Sequence, residues 1–136
     1  MTIYCHIDGA CRPNPGKGGI GIVFTGDKMN YAISGKLPGD RLSNNQCEYQ
    51  AFNQALVEIL SYGFNQDEIT IYSDSEMLVL QLNNQKSVDR GGKYVGSYLK
   101  ARELMKHFPN LKIEWIPREE NAEANLLASE AIRVWH

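Results

Sequence analysis

The sequence predicts an α/β fold: a mixed five-stranded sheet, built from a three-stranded antiparallel meander and two parallel strands, with helices covering its faces. Three observations carry this. Apolar residues alternate at Ile3, Cys5 and Ile7, and two more β-branched stretches separated by turn residues follow before residue 37. Beyond that point helical and strand patterns alternate, as crossovers to parallel strands require. No internal repeat, low-complexity tract or linker interrupts the order, so residues 1–136 are expected to form one domain.

The first strand is expected to end at Asp8. The segment Gly9 to Lys17, with Pro13, Asn14, Pro15 and Gly16, reads as a turn, and Gly18 to Thr25 as the returning strand. Gly26-Asp27 with Lys28 then turns the chain into a third strand near Met29 to Lys36. Ser43 followed by Gln46 is a capping-box signature, so a helix starts near Asn44. Its apolar stripe is Cys47, Ala51, Ala55, Leu56, Ile59 and Leu60, and Gly63 stops it. Ile69 and Ile71 mark a strand ending at Ser73-Asp74, before a helix containing Met77, Leu78 and Leu82. Val95, Tyr98, Leu99, Met105 and Phe108 indicate another helix, and Leu111, Ile113 and Trp115 the last strand. Ala124, Leu127, Ala128, Ala131, Ile132 and Trp135 form the stripe of a closing amphipathic helix.

With 136 residues and 43% hydrophobic content, the chain can bury a core without disulfide or metal staples. It has no apolar run of membrane-spanning length, and Met1 to His6 lacks the basic and apolar regions of a signal peptide. A cytoplasmic protein without membrane association is expected, and a monomer is the default. Cys5, Cys11 and Cys47 are odd in number and lack metal-site spacing, which points to reduced thiols. The net charge of -2 conceals an asymmetry: residues 86–106 hold six basic residues against two acids, a local +4 against -6 elsewhere.

Asp8 and Asp74, each expected at a strand's carboxyl end, fall where open α/β sheets place ligands, and Glu48 can join them from the first helix. Clustered carboxylates repel one another unless a cation lies between them, and hard oxygen donors favour Mg²⁺ or Mn²⁺. Singly, each acid has another reading: Asp8 as a turn cap, Glu48 as a solvated helix residue, Asp74 as a helix N-cap.

Four segments in order resemble type 1 ribonucleases H. They are Asp8-Gly9-Ala10 with Asn14-Pro15-Gly16 and the run to Ile22; Ser43-Asn44-Asn45-Gln46-Cys47-Glu48-Tyr49; Tyr72-Ser73-Asp74-Ser75; and Pro117-Arg118-Glu119-Glu120-Asn121 with Ala124-Asn125 and Leu127-Ala128. Together they span nearly the whole chain. The resemblance implies a ribonuclease H-like fold and an endonuclease that cuts the RNA strand of RNA·DNA hybrids with two Mg²⁺ ions, Mn²⁺ substituting, to leave 5'-phosphate and 3'-hydroxyl ends. It implies catalytic and metal-binding roles for Asp8, Glu48 and Asp74, and puts Asn125 where the family has a fourth carboxylate. An amide keeps a ligating oxygen but loses a charge, which weakens metal binding. Glu123, two residues earlier on a helix, points about 200° away and does not substitute.

By the same resemblance Asn14, Asn44, Asn45 and Gln46 would contact 2'-hydroxyls in the hybrid's minor groove, although Ser43 and Gln46 are equally explained by helix capping. The basic handle of many bacterial relatives has no room between Gln85 and Tyr98, leaving Lys86, Arg90 and Lys93 as a reduced phosphate-contacting set. The flexible loop His of many relatives is absent too. Arg118 lies nearest in sequence and could meet a phosphate or pair with Glu119 or Glu120.

Gly16, Gly18 and Gly21 fit G-x-G-x-x-G, but a strand pattern follows, so a dinucleotide site is excluded. His6, His107 and His136 have no metal-ligand spacing. Two rival functions remain: a hybrid-binding module weakened by Asn125, and a related polynucleotidyl transferase such as a junction resolvase. Asn44-Asn45 and the compact length favour the ribonuclease.

Overall fold

The computed structural model describes residues 2–133; Trp135, placed on the final helical stripe by its spacing, and His136 lie outside them. Strands β1 (Thr2–Arg12), β2 (Lys17–Thr25) and β3 (Tyr31–Lys36) form the antiparallel meander. Helix α1 (Asn44–Ser61) leads to β4 (Glu68–Ser73), then α2 (Glu76–Leu82), α3 (Val95–Met105), β5 (Leu111–Trp115), a 3₁₀ turn (Arg118–Glu120) and α4 (Ala122–Arg133). The strand order is β3-β2-β1-β4-β5, with β4 parallel to β1 and β5 parallel to β4. This is the expected five-stranded mixed sheet. No helix among the described residues is long and apolar enough to cross a membrane.

Alternation along the strands fixes the layers. Ile3, Cys5 and Ile7 share a face with Ile69, Ile71 and Ile113, against which α1 packs Phe52, Ala55, Leu56 and Ile59. Helix α1 starts as its sequence dictates: the Ser43 hydroxyl accepts the Gln46 N–H and the Gln46 side chain accepts the Ser43 N–H. Tyr49, Phe52 and Asn53 are buried as well, because α3 covers α1's flank and Asn53 Nδ2 donates to the Ser97 carbonyl at 3.0 Å. In place of a handle, the short α2–α3 connection closes over Gln81, whose carboxamide accepts from Tyr49 Oη at 2.6 Å and donates to the Ser87 carbonyl and Tyr94 Oη.

On the other face, α4 packs on β1, β2 and β3 through small residues. A Cβ on Gly21 would meet the Ala124 carbonyl oxygen at 2.1 Å, and one on Gly19 the Ala128 carbonyl oxygen at 2.7 Å, so the helix backbone rests directly on β2.

Several boundaries differ from the sequence reading. β1 does not end at Asp8 but runs to Arg12, paired with β2 as far as Lys17, and the turn shrinks to residues 13–16. Gly9, Ala10, Gly18 and Gly19 carry too little hydrophobic signal to show this pairing in sequence. β3 begins at Tyr31, with Met29 buried ahead of it, and Phe108 is buried beyond the end of α3. Ser75, not Asp74, caps α2: its hydroxyl accepts the Leu78 N–H.

Candidate active site

Asp8 lies mid-strand, opposite Gly21 on β2, at the level where β4 stops: the last β1–β4 pair is Ile7 with Ser73. Asp74 is the next residue after β4, so parallel pairing brings the two acids side by side. Glu48 enters from the second turn of α1. It is buried rather than solvated, because α1 crosses β1 at Gly9, where a Cβ would lie 2.1 Å from the Cys47 carbonyl oxygen. Glu48 Oε1 accepts the Gly9 N–H at 2.6 Å, and Asn44 Oδ1 accepts the Cys11 N–H at 3.1 Å. Helix α1 thereby supplies acceptors to the edge of β1 that β4 has left.

One carboxylate oxygen from each of Asp8, Glu48 and Asp74 lies within 4.8 Å of the others. Burial, then the Asp8 charge, raises the Glu48 pKa well above its ordinary value. Burial also raises Asp8, to about 6, while its hydrogen bond with Glu48 and the Arg118 guanidinium pull it down and the Asp74 charge pushes it up. Asp74 Oδ2 is shielded from solvent and has no hydrogen-bond partner, a costly state for a carboxylate oxygen. Crowded carboxylates with an orphaned oxygen fit a divalent cation: it would neutralise the repulsion and engage that oxygen.

The three acids line a cleft of about 440 Å³ with Arg12, Asn44, Asn45, Ser75, Arg118 and Ser129. Asn125 does not line this cleft; it lies in an adjoining depression that shares Arg118 and Ser129 with it. Its Nδ2 donates weakly to the Arg118 carbonyl at 3.4 Å, and its Oδ1 is buried without a partner. Glu123 faces a separate cleft with His6, as its helical position requires.

The amide residues divide. Asn44 and Asn45 line the cleft, whereas the Oδ1 of Asn14 accepts from Cys11 Sγ and the Asn44 N–H, and Gln46 serves the helix cap. Lys86, Arg90 and Lys93 are exposed on the α2–α3 connection, outside the cleft. Arg12 and Ser129 escaped the sequence reading. They meet across the cleft wall, Arg12 Nη2 donating to Ser129 Oγ at 3.2 Å. The signal for Ser129 was its place one helical turn after Asn125; Arg12 was obscured once the strand was ended at Asp8.

A mixed sheet with carboxylates gathered where the central strand loses a neighbour defines a ribonuclease H-like nuclease. A family model described as reverse transcriptase-like matches residues 6–131. The crystal structure of LC11-RNase H1 in complex with an RNA/DNA hybrid superposes with a TM-score of 0.85 at 32% identity, covering 96% of each chain. Ribonuclease HI of Halobacterium salinarum is 35% identical over 134 residues, 96% of this chain and 64% of that longer protein. The putative hydrolase EbsB of Enterococcus faecalis is 30% identical over 96% of this chain and 94% of its own length. The chain belongs to the type 1 ribonuclease H family, a divalent-metal-dependent hydrolase family, and is a form without the basic handle.

Proposed function

We propose that this chain hydrolyses the RNA strand of RNA·DNA hybrids at the Asp8, Glu48 and Asp74 centre, leaving 5'-phosphate and 3'-hydroxyl ends. The observation that carries this is the convergence of three carboxylates within 4.8 Å in a chain of this family. Asp8, Glu48 and Asp74 would hold two Mg²⁺ ions, or Mn²⁺ in their place, with Asn125 Oδ1 as a neutral fourth donor from α4. When bound, such ions polarise a phosphoryl oxygen and lower the pKa of water, making hydroxide available near neutrality.

The protein's own groups do the rest. Asn44 and Asn45 present amides to a 2'-hydroxyl, which both donates and accepts as they do, and this distinguishes RNA from DNA. Arg118 offers a fixed fork of donors to a phosphate at the cleft mouth and is itself near enough to stabilise ionised Asp8. Lys86, Arg90 and Lys93 meet phosphates further along the duplex.

One observation favours a second reading, a hybrid-binding module with weak chemistry: the fourth position is an uncharged amide, Asn125, which lines the adjoining depression rather than the carboxylate cleft. The test pairs cleavage of end-labelled hybrid in Mg²⁺ and Mn²⁺ with filter binding in a cation that does not support cleavage. Cleavage confined to the RNA strand is expected. Tight hybrid binding without cleavage would select the binding module, and preference for a DNA junction over the hybrid would overturn both.

A further inference from the structure

The sheet face beside α4 carries a row of rings on β1 and β4. Tyr4 and His6 on β1 and Tyr72 on β4 alternate out of the core onto that face, since Ile3, Cys5 and Ile71 point the other way. Tyr4 and Tyr72 stack with centroids 6.3 Å apart and planes inclined by 15°, and the His6 ring lies 4.8 Å from Tyr72. Tyr4 is 42% exposed, His6 and Tyr72 are half-buried, and His6 borders a cleft that it shares with Glu123 and Ala124 of α4.

Acids surround the row. Glu114 of β5 is close enough for its charge to act on Tyr72, and Glu123 close enough to act on His6. Glu120 lines the cleft beside His6, where Asn121, 1% exposed, keeps a buried Oδ1 without a partner. Lys112 is the basic residue that β5 adds to this face.

We propose that this face binds an arginine-rich, extended segment of a partner protein. Rings with a carboxylate border attract cations and repel phosphates, so the charge pattern favours a basic peptide over a nucleic acid. Arginine fits best: its guanidinium stacks flat on a ring while its edge pairs with a carboxylate or an amide oxygen. Elsewhere the same chain uses that chemistry on itself, with the Arg102 guanidinium 5.3 Å from the Tyr98 ring centroid. Side chains on one side of an extended peptide recur every ~6.6 Å, close to the 6.3 Å between Tyr4 and Tyr72. Arginines at alternate positions therefore match the spacing of the rings.

The probe is a fluorescein-labelled peptide of four Arg-Gly repeats, titrated with the full chain in saturating Mg²⁺ so that the catalytic carboxylates do not compete. Wild type is compared with Tyr4→Ser combined with Glu114→Lys, both exposed positions, and with Asp74→Asn. About tenfold weaker binding is expected for the double variant, from loss of one cation–π contact and reversal of one charge, with Asp74→Asn unchanged and hybrid cleavage by the double variant retained. Amide shifts on peptide addition should centre on Tyr4, His6, Tyr72 and Glu114. Equal loss in Asp74→Asn, an equally tight Lys-Gly peptide that ignores Tyr4→Ser, or an oligothymidylate shifting the same amides would each overturn the proposal.

Discussion

Gly21 and Ala124 touch so closely that a methyl group on Gly21 would sit 2.1 Å from the Ala124 carbonyl oxygen. That contact sets the height of α4 above β2, and Asn125 is the next residue on the helix. Gly21→Ala is expected to destabilise the fold by about 1–3 kcal/mol in urea unfolding, by overpacking, and to lower cleavage further by lifting Asn125. Wild-type activity in a folded Gly21→Ala protein would separate the α4 register from catalysis.

Asp74 can be tested with little structural cost, because Ser75 rather than Asp74 caps α2 and Asp74 Oδ2 has no partner. Asp74→Asn should cut the cleavage rate by about 100-fold or more, since several kcal/mol of transition-state charge stabilisation are involved. Its melting temperature in EDTA should stay at or above wild type. Full activity in this variant would remove Asp74 from the metal centre.

Asn125→Asp restores the family's carboxylate at a position whose oxygen is already shielded and unpartnered. Mn²⁺ affinity by calorimetry is expected to tighten by about 10–100-fold, the scale on which ligand-sphere changes act, with faster cleavage in Mg²⁺. Unchanged affinity would place residue 125 outside the metal's reach.

Burial raises the pKa values of Asp8 and Glu48 above those of the unfolded chain. A group raised in this way contributes stability at pH below its unfolded pKa and loses it as pH climbs through the folded value. In EDTA, thermal stability should therefore fall between about pH 4 and pH 7, by roughly 1–3 kcal/mol at ~1.4 kcal/mol per pKa unit. A divalent ion holds the carboxylates ionised, so its stabilising effect should be larger at pH 8 than at pH 5. A metal effect independent of pH would contradict the shared-carboxylate site.

The exposed Lys86, Arg90 and Lys93 should act through phosphates alone. Replacing each by Ala is expected to weaken binding to all hybrid sequences alike and to flatten the salt dependence by about 0.9 in log–log slope per lost contact. A change in sequence preference would assign the α2–α3 connection a base-reading role.

Much of this was legible in sequence where a pattern repeats or a cap has a distinct chemistry. The Ser43–Gln46 capping box and the alternation at Ile69 and Ile71 placed α1 and β4, and the motif order placed the three acids. The extension of β1 past Asp8 was not legible, because Gly and Ala pairs close a ladder without announcing a hydrophobic face. Nor was the burial of Glu48: it depends on Gly9 admitting α1 at backbone contact, a meeting 39 residues apart in the chain. Asn125 was placed by motif alone, and its seat beside the carboxylate cleft rather than in it needed three-dimensional packing.

Where β4 stops, the N–H groups of Gly9 and Cys11 are met by Glu48 and Asn44, so two side chains stand in for a missing strand. The same two side chains face the cleft in which ions and substrate would be held. Amide hydrogen exchange at Gly9 and Cys11 thus becomes a direct gauge of site occupancy: whatever draws Glu48 or Asn44 toward the cleft must loosen those hydrogens, and whatever fixes them must slow their exchange. A strand edge finished by ligands is also a built-in reporter.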